Sequence, residues 1–211
     1  QPRRPNQARY LVVHLFAFAL ERCGYVDTDP AVLCTFRRNA LRVIAMMPAA
    51  QRSGVRLGMT VSSARALCPE LVVETWCEGE EEADWNSLAN ILYQYTDRIQ
   101  RGWDTDAVLE VSHSSHLFGG ENVLIQNIVN RMYEMGHTSC AAIADDPLAA
   151  SIWTRCTGSG VIPTGQMASS LESLPFHAMR PSNRLFQSVR GLDIETIGQW
   201  AQLDPASVAG R

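Results

Sequence analysis

Three short apolar runs set the terms on which this chain can fold. Tyr10–Val13, Ala107–Val111 and Ser139–Ile143 have strand length, and each precedes a segment of helical character: Leu15–Arg22, Gly120–Met135 and Pro147–Arg155. Runs this short, rich in valine, isoleucine, leucine and alanine and followed by turn residues, read as strands rather than helices. Strands alternating with amphipathic helices predict an α+β core whose sheet is covered on one face. Between the first and second runs stand an Asp27-Thr-Asp-Pro30 turn and strands at Val32–Phe36 and Leu41–Met46. A short helix at Pro48–Ser53 ended by Gly54, a Thr60-capped helix through Ala64–Cys68, and a strand at Leu71–Trp76 follow. The longest helical pattern carries Trp85, Leu88, Leu92, Tyr95 and Ile99 at spacings of three and four and predicts a helix through Gln100. Its entrance holds Glu78, Glu80, Glu81, Glu82 and Asp84, which suit the positive end of a helix dipole or, alternatively, a cation. From Ala168 onward only short helices are expected, as an all-helical subdomain.

Composition removes several functions. All 18 basic residues are arginine, against 22 acidic ones and a net charge of −4. Without lysine there is no Schiff base, no lysine nucleophile and no P-loop lysine, and no chain-wide positive field draws nucleic acid. Six cysteines without a Cys-x-x-Cys pair read as reduced thiols of a cytoplasmic protein, not as a zinc or redox motif. The longest apolar stretch, Tyr10–Leu20, is broken by His14 and cannot span about 30 Å of hydrocarbon, so no membrane role is expected. No signal peptide precedes it, and a start at Gln1 with a stop at Arg211 in mid-pattern reads as a fragment of a longer chain.

Candidate chemistry is sparse. His113-x-x-His116 after a strand can be a metal pair or plain polar surface, and Ser112, Ser114 and Ser115 lack a Gly-x-Ser-x-Gly elbow. Gly119-Gly120 and Gly158-Ser-Gly160 read as turns, without the spacing of a phosphate loop. Arg37, Arg38, Arg42, Arg52 and Arg56 form a cluster that is either solvated surface or a groove for DNA phosphates. No cofactor is expected.

Longer motifs are more specific. Val55-Arg-Leu-Gly-Met-Thr60 followed by Ala64-Arg-Ala-Leu-Cys-Pro-Glu-Leu71 resembles the fingers motif of the Y-family, or translesion, DNA polymerases. Leu117-Phe-Gly-Gly-Glu121, Ile143-Ala-Asp-Asp-Pro-Leu-Ala-Ala150, Leu174-Pro-Phe-His-Ala-Met-Arg180 and Gly191–Gly198 resemble the ImuB-type branch, which lacks catalytic activity. The resemblance covers nearly all of residues 9–211. It implies a palm with a ferredoxin-like split βαβ sheet, a fingers insert and a helical thumb: palm at 9–22 and 77–167, fingers at 23–76, truncated thumb at 168–211. On the same resemblance, a little finger and C-terminal region are expected to lie outside these residues.

The departures from the family pattern fall on its chemistry. Anchored on Glu21, the two acidic positions of the first strand motif fall on Val12 and His14; anchored on Leu109-Glu-Val-Ser112, the adjacent acidic pair falls on Thr105 and Asp106. Two-metal phosphoryl transfer needs several converging carboxylates, and these degenerate positions imply no catalytic residues and no metal. The nucleotide-binding positions are degenerate too: the Tyr-x-x-Arg that holds phosphates falls on Pro48 and Gln51, the downstream lysine on Asp146, and the aromatic that screens the sugar on Ala17. The thumb lacks the expected Gly-x-Gly hairpin near Arg180–Ser182.

The resemblance therefore implies a pseudoenzyme scaffold in error-prone translesion synthesis, DNA-damage repair and induced mutagenesis. Its implied partners are the sliding clamp, bound through the missing C-terminal region, an ImuA-type RecA-like protein and an error-prone DnaE-type replicase, with DNA bound weakly. Two alternatives remain open: a divergent active polymerase using Asp106 with Asp104 or Glu110, and a protein-interaction domain that no longer touches DNA. On the scaffold reading, Asp106→Ala is expected to leave biological function intact.

Overall fold

A computed structural model of the chain describes residues 8–103, 105–182, 185 and 193–203. Asp104, the side chains of Glu78, Glu80 and Glu81, part of the Gly191–Gly198 motif and the end of the expected thumb lie outside the described residues. In chain order the elements begin with β1 (Tyr10–Leu15), α1 (Phe18–Arg22), β2 (Ala31–Arg37), β3 (Ala40–Met46), α2 (Pro48–Arg52) and α3 (Val61–Leu67). Next come β4 (Val72–Thr75), α4 (Glu78–Leu92), β5 (Ile99–Arg101), β6 (Asp106–Glu110), α5 (Glu121–Glu134) and β7 (Ser139–Ala144). The chain continues with α6 (Pro147–Cys156), β8 (Gly160–Val161), α7 (Met167–Leu171), a 3-10 turn at Phe176–Met179, and α8 (Ile197–Ala201). These elements form two compact units, one holding the described parts of 1–14, 95–128 and 140–211, the other 15–94 and 129–139.

The first unit is built on a five-stranded sheet in the order β5-β6-β1-β7-β8. β6 runs antiparallel to β1, with Leu109 opposite Leu11 and Asp106 opposite His14. The parallel pair β7 and β8 is joined by α6, the crossover that parallel strands require. Val12, Val108, Ala142 and Ala144 pack with Ala149 and Ala150 of α6 and with Ile162 in one apolar layer. Alanines on both β7 and α6 let helix and sheet approach closely. Residues of opposite parity, Leu11, Val13, Ala107, Leu109, Ala141 and Ile143, are just as buried. The sheet is thus covered on both faces, not one: its central strands are continuous apolar runs, the pattern of strands buried twice.

The second unit carries a three-stranded sheet in the order β3-β2-β4. The β2–β3 hairpin turns on Arg38 and Asn39, both left-handed at φ 50° and 60°, as a two-residue loop of the twist-matching type demands. Its core joins Val32, Cys34 and Val43 to Ala50 of α2, Ala64 of α3 and Leu71. α2 starts with Pro48 at its first position, and the Thr60 hydroxyl caps α3 by accepting from the Ser63 amide.

Three elements differ from the sequence reading. α4 stops at Leu92, and Ile99 lies in β5 opposite Leu109, so the three-and-four spacing ran past the helix end. Tyr95 leaves that stripe to meet the Phe118 ring at 5.3 Å. Leu15 continues β1 and delays α1 to Phe18. Gly160, read as a turn glycine, sits in β8, where a Cβ would lie 2.9 Å from the indole nitrogen of Trp153. All six cysteines are free thiols, and no helix among the described residues is long and apolar enough to cross a membrane.

Candidate functional site

The antiparallel register of β1 and β6 brings His14 and Asp106 face to face at the end of the strand pair. Asp106 is 1% exposed, and a carboxylate so deep must be satisfied from all sides. His14 Nδ1 donates to Asp106 Oδ1 at 2.6 Å, and the Ser151 hydroxyl donates to Oδ2. Arg155, one turn along α6 from Ser151, donates through Nη1 to the Ser151 hydroxyl at 3.0 Å and stands 3.9 Å from Asp106 Oδ2. The other guanidinium nitrogen donates to the Ala178 carbonyl at 2.8 Å. On the loop side Gly102 packs against Asp106 with room for no Cβ, which would fall 2.9 Å from that of Asp106 and 3.0 Å from a Val108 methyl. Cys140 lies in this neighbourhood, its thiol pushed up to about 11 by burial and, secondarily, by the Asp106 charge.

Val12 shares the face of His14 but is enclosed by Val108, Ala142, Ala144 and Ile162. Thr105 is exposed in the turn before β6. The polymerase resemblance implies divalent ions here, and hard cations take several oxygen ligands at about 2.0–2.6 Å. The residues present do not fit such an ion: Val12 has no donor, Thr105 brings one neutral hydroxyl, and both Asp106 oxygens face protein donors. No group of three or more His, Cys, Asp or Glu side chains able to hold a metal occurs among the described residues. Glu110 cannot join Asp106, since four residues of strand separate them by about 13 Å. It is paired instead with Arg98 at 2.6 Å, which holds its carboxyl below the usual range.

The positions to which the resemblance assigns a nucleotide pocket have structural roles. Ala17 is buried with Leu20, Ala31 and Met47. Pro48 opens α2 and Gln51 is exposed on it. Asp146 caps α6, accepting from the Leu148 and Ala149 amides at 2.8 and 3.2 Å. The arginine cluster separates into two kinds. Arg42 donates to Gly58 O, Arg52 to Asp27 O, and Arg56 to Gln51 O and Val55 O, tying loops together. Arg37 and Arg38 stand exposed at the hairpin tip beside Phe36, itself 69% exposed.

Sequence reasoning missed Ser151, Arg155 and a second charged cluster. Arg9 donates to both Glu121 oxygens at 2.8 Å, to Asp145 at 2.7 Å and to the Ile162 carbonyl at 3.0 Å. The available signals were a serine interrupting the apolar face of α6, with an arginine four residues on, and an arginine directly before an apolar strand.

The model of the impB/mucB/samB family matches residues 15–155. The chain belongs to that family. It is similar to Protein ImuB of Caulobacter vibrioides, 26% identical over 159 residues, covering 75% of this chain and 35% of that protein. It is also similar to DNA polymerase IV of Pseudomonas savastanoi pv. phaseolicola, 29% identical over 167 residues, covering 77% of this chain and 45% of the relative. Among solved structures, DinB from Sulfolobus solfataricus superposes with a TM-score of 0.74 at 19% identity, over 96% of this chain and 62% of that one. The fold of this impB/mucB/samB member is therefore that of the Y-family DNA polymerases, and the chain spans less than half the length of these two sequence relatives.

Proposed function

We propose that this family member is a non-catalytic polymerase-fold module serving as an adaptor in error-prone translesion synthesis and induced mutagenesis. The observation that carries the reading is the state of Asp106: both oxygens accept from His14 and Ser151 inside the protein, while Val12 lies in an apolar layer. A two-metal transfer needs carboxylates open to ions and triphosphate together. In this reading residues 9–22 and 77–167 serve as palm, 23–76 as fingers and 168–211 as part of a thumb. In the same proposal the module has an assembly role, with a sliding clamp, an ImuA-type RecA-like protein and a DnaE-type replicase as its partners. DNA contact is weak and salt-dependent, carried by Arg37 and Arg38, because Arg42, Arg52 and Arg56 already serve loop carbonyls.

Primer extension and DNA binding by this chain, with Mg²⁺ and with Mn²⁺, test the proposal. No extension and weak, salt-sensitive binding are expected. Extension that disappears in Asp106→Asn establishes the active-polymerase alternative, and complete absence of DNA binding at low salt leaves a protein-interaction module.

A further inference from the structure

The network around Asp106 does more than satisfy a buried carboxylate. A buried anion is tolerated when cations and donors surround it in good geometry, and removing one member leaves the others uncompensated. Here the partners come from two directions: the His14 ring along the sheet and the Arg155 guanidinium across α6, with Ser151 between Arg155 and Oδ2. Arg155 is only 13% exposed and its second nitrogen reaches out of the network, to the carbonyl of Ala178. Ala178 belongs to the 3-10 turn, whose Ala178 and Arg180 amides bond within it, to Pro175 O and His177 O at 3.0 Å, while the Phe176 amide at its start donates to Glu195 O at 2.7 Å. A turn of four residues has little stability of its own. Arg155 is thus a side-chain tether from the sheet's interior to this turn, and Phe176 within the same turn stacks on Trp200 of α8 at 5.2 Å.

We infer that the position resembling a metal ligand has become a structural anchor: Asp106 fixes Arg155, and Arg155 fixes the Phe176–Met179 turn from which the last helical segment is reached. The protein's own imidazole and guanidinium, with the Ser151 hydroxyl, take up the surroundings of the Asp106 carboxylate. This inference rests on the non-catalytic reading above, since an Asp106 that held an ion would have to release His14 and Ser151.

Hydrogen exchange read by NMR on the 211-residue chain tests it, without nucleotide or metal. Arg155→Ala is expected to accelerate exchange of the Phe176, Ala178 and Arg180 amides by roughly ten- to a hundredfold, while Val43 and Met47 in the second unit change far less. Millimolar ethylguanidinium restores protection in Arg155→Ala, because the vacated space between Asp106 and Ala178 is shaped for a planar cation. Asp106→Asn gives the same local signature, and the double variant adds little to either single change, as expected for members of one network. Should Asp106→Asn not fold, Ser151→Ala, which removes one hydroxyl, produces the same pattern at smaller amplitude. Unchanged exchange at 176–180 in Arg155→Ala overturns the anchor, as does an acceleration spread equally over Val43 and Met47. Selective broadening of His14 and Asp106 resonances by Mn²⁺ in the unaltered protein overturns it as well. Primer extension by a protein whose anchor behaves as described instead sinks the non-catalytic reading, so the two failures are distinguishable.

Discussion

The two ends of β1 carry charge shells of opposite sense. At its start the Arg9 cation is enclosed by Glu121, Asp145 and a carbonyl; near its end the Asp106 anion is enclosed by His14, Ser151 and Arg155. Burial works against the Arg9 charge, yet its bonds to Glu121 and Asp145 outweigh that and leave its pKa raised. Each shell is closed by the protein itself. The lesson is that neither a buried carboxylate nor a cluster of acids is by itself an open ligand set: what decides is whether the lone pairs are already engaged. Glu121 and Asp145 sit close together as cation ligands would, but an arginine fills the place of the ion.

Breaking the first shell has the largest expected effect. Arg9→Ala leaves two acids confronting each other around a vacated site, one of them, Asp145, with a side chain only 4% exposed. A loss of about 3–5 kcal/mol is expected in urea unfolding. Arg9→Lys recovers only part of this, because an ammonium cannot match the paired bonds to both Glu121 oxygens. Equal stability of Arg9→Ala and the unaltered chain would mean that the shell is decoration.

Breaking the second shell comes next. Asp106→Asn keeps the shape and one acceptor for His14 but removes the charge that Arg155 faces, and a loss of about 1.5–3 kcal/mol is expected in the same measurement. Asp106→Ala, harmless on the sequence reading, is expected to be worse, since it also strands the Ser151 hydroxyl. Loss of biological function in that variant would therefore report instability first, and only circular dichroism beside it can separate the two.

The second unit offers a half-buried counterpart in which a single bond dominates. Tyr25 donates to Glu74 at 2.6 Å, and that bond, with a smaller push from burial, raises the phenol to about 12. A pKa raised in the folded state means that the stabilisation is full below the unfolded value of about 10 and is lost as pH climbs through the folded value. Ultraviolet titration should therefore find a late phenol at Tyr25, and Glu74→Gln should bring it down. Persistence of the late titration in Glu74→Gln would assign it to burial.

How much of this was legible in the sequence depends on the range of the interaction. β1, β6, β7, α5 and α6 announced themselves because burial imposes local periods on apolar residues. The end of α4 did not: Tyr95 and Ile99 keep helical spacing, but one serves Phe118 and the other a strand pairing, and both needs are tertiary. β8 is two residues long and exists only through Ala142 and Ile143. The resemblance points to Val12, His14, Thr105 and Asp106 but not to what Asp106 touches, because Ser151 and Arg155 lie 45 and 49 residues away on a helix whose rotation only packing determines.

The smallest effect probes the second shell from a neighbour. Cys140 is raised to about 11, first by burial and only then by the Asp106 charge. Asp106→Asn removes the second cause and leaves the first, so the thiol should fall slightly and still stand above the ordinary value of about 8.5. The check is the pH profile of iodoacetamide labelling at Cys140, resolved by mass spectrometry from the exposed Cys23 and Cys77. A fall all the way to the profile of those exposed thiols would show that removing one charge had opened the core to water. Asp106 would then be holding the sheet and α6 together as well as fixing Arg155. A small fall keeps the two functions apart: apolar packing of alanines closes the interior, and the carboxylate positions the cation within it.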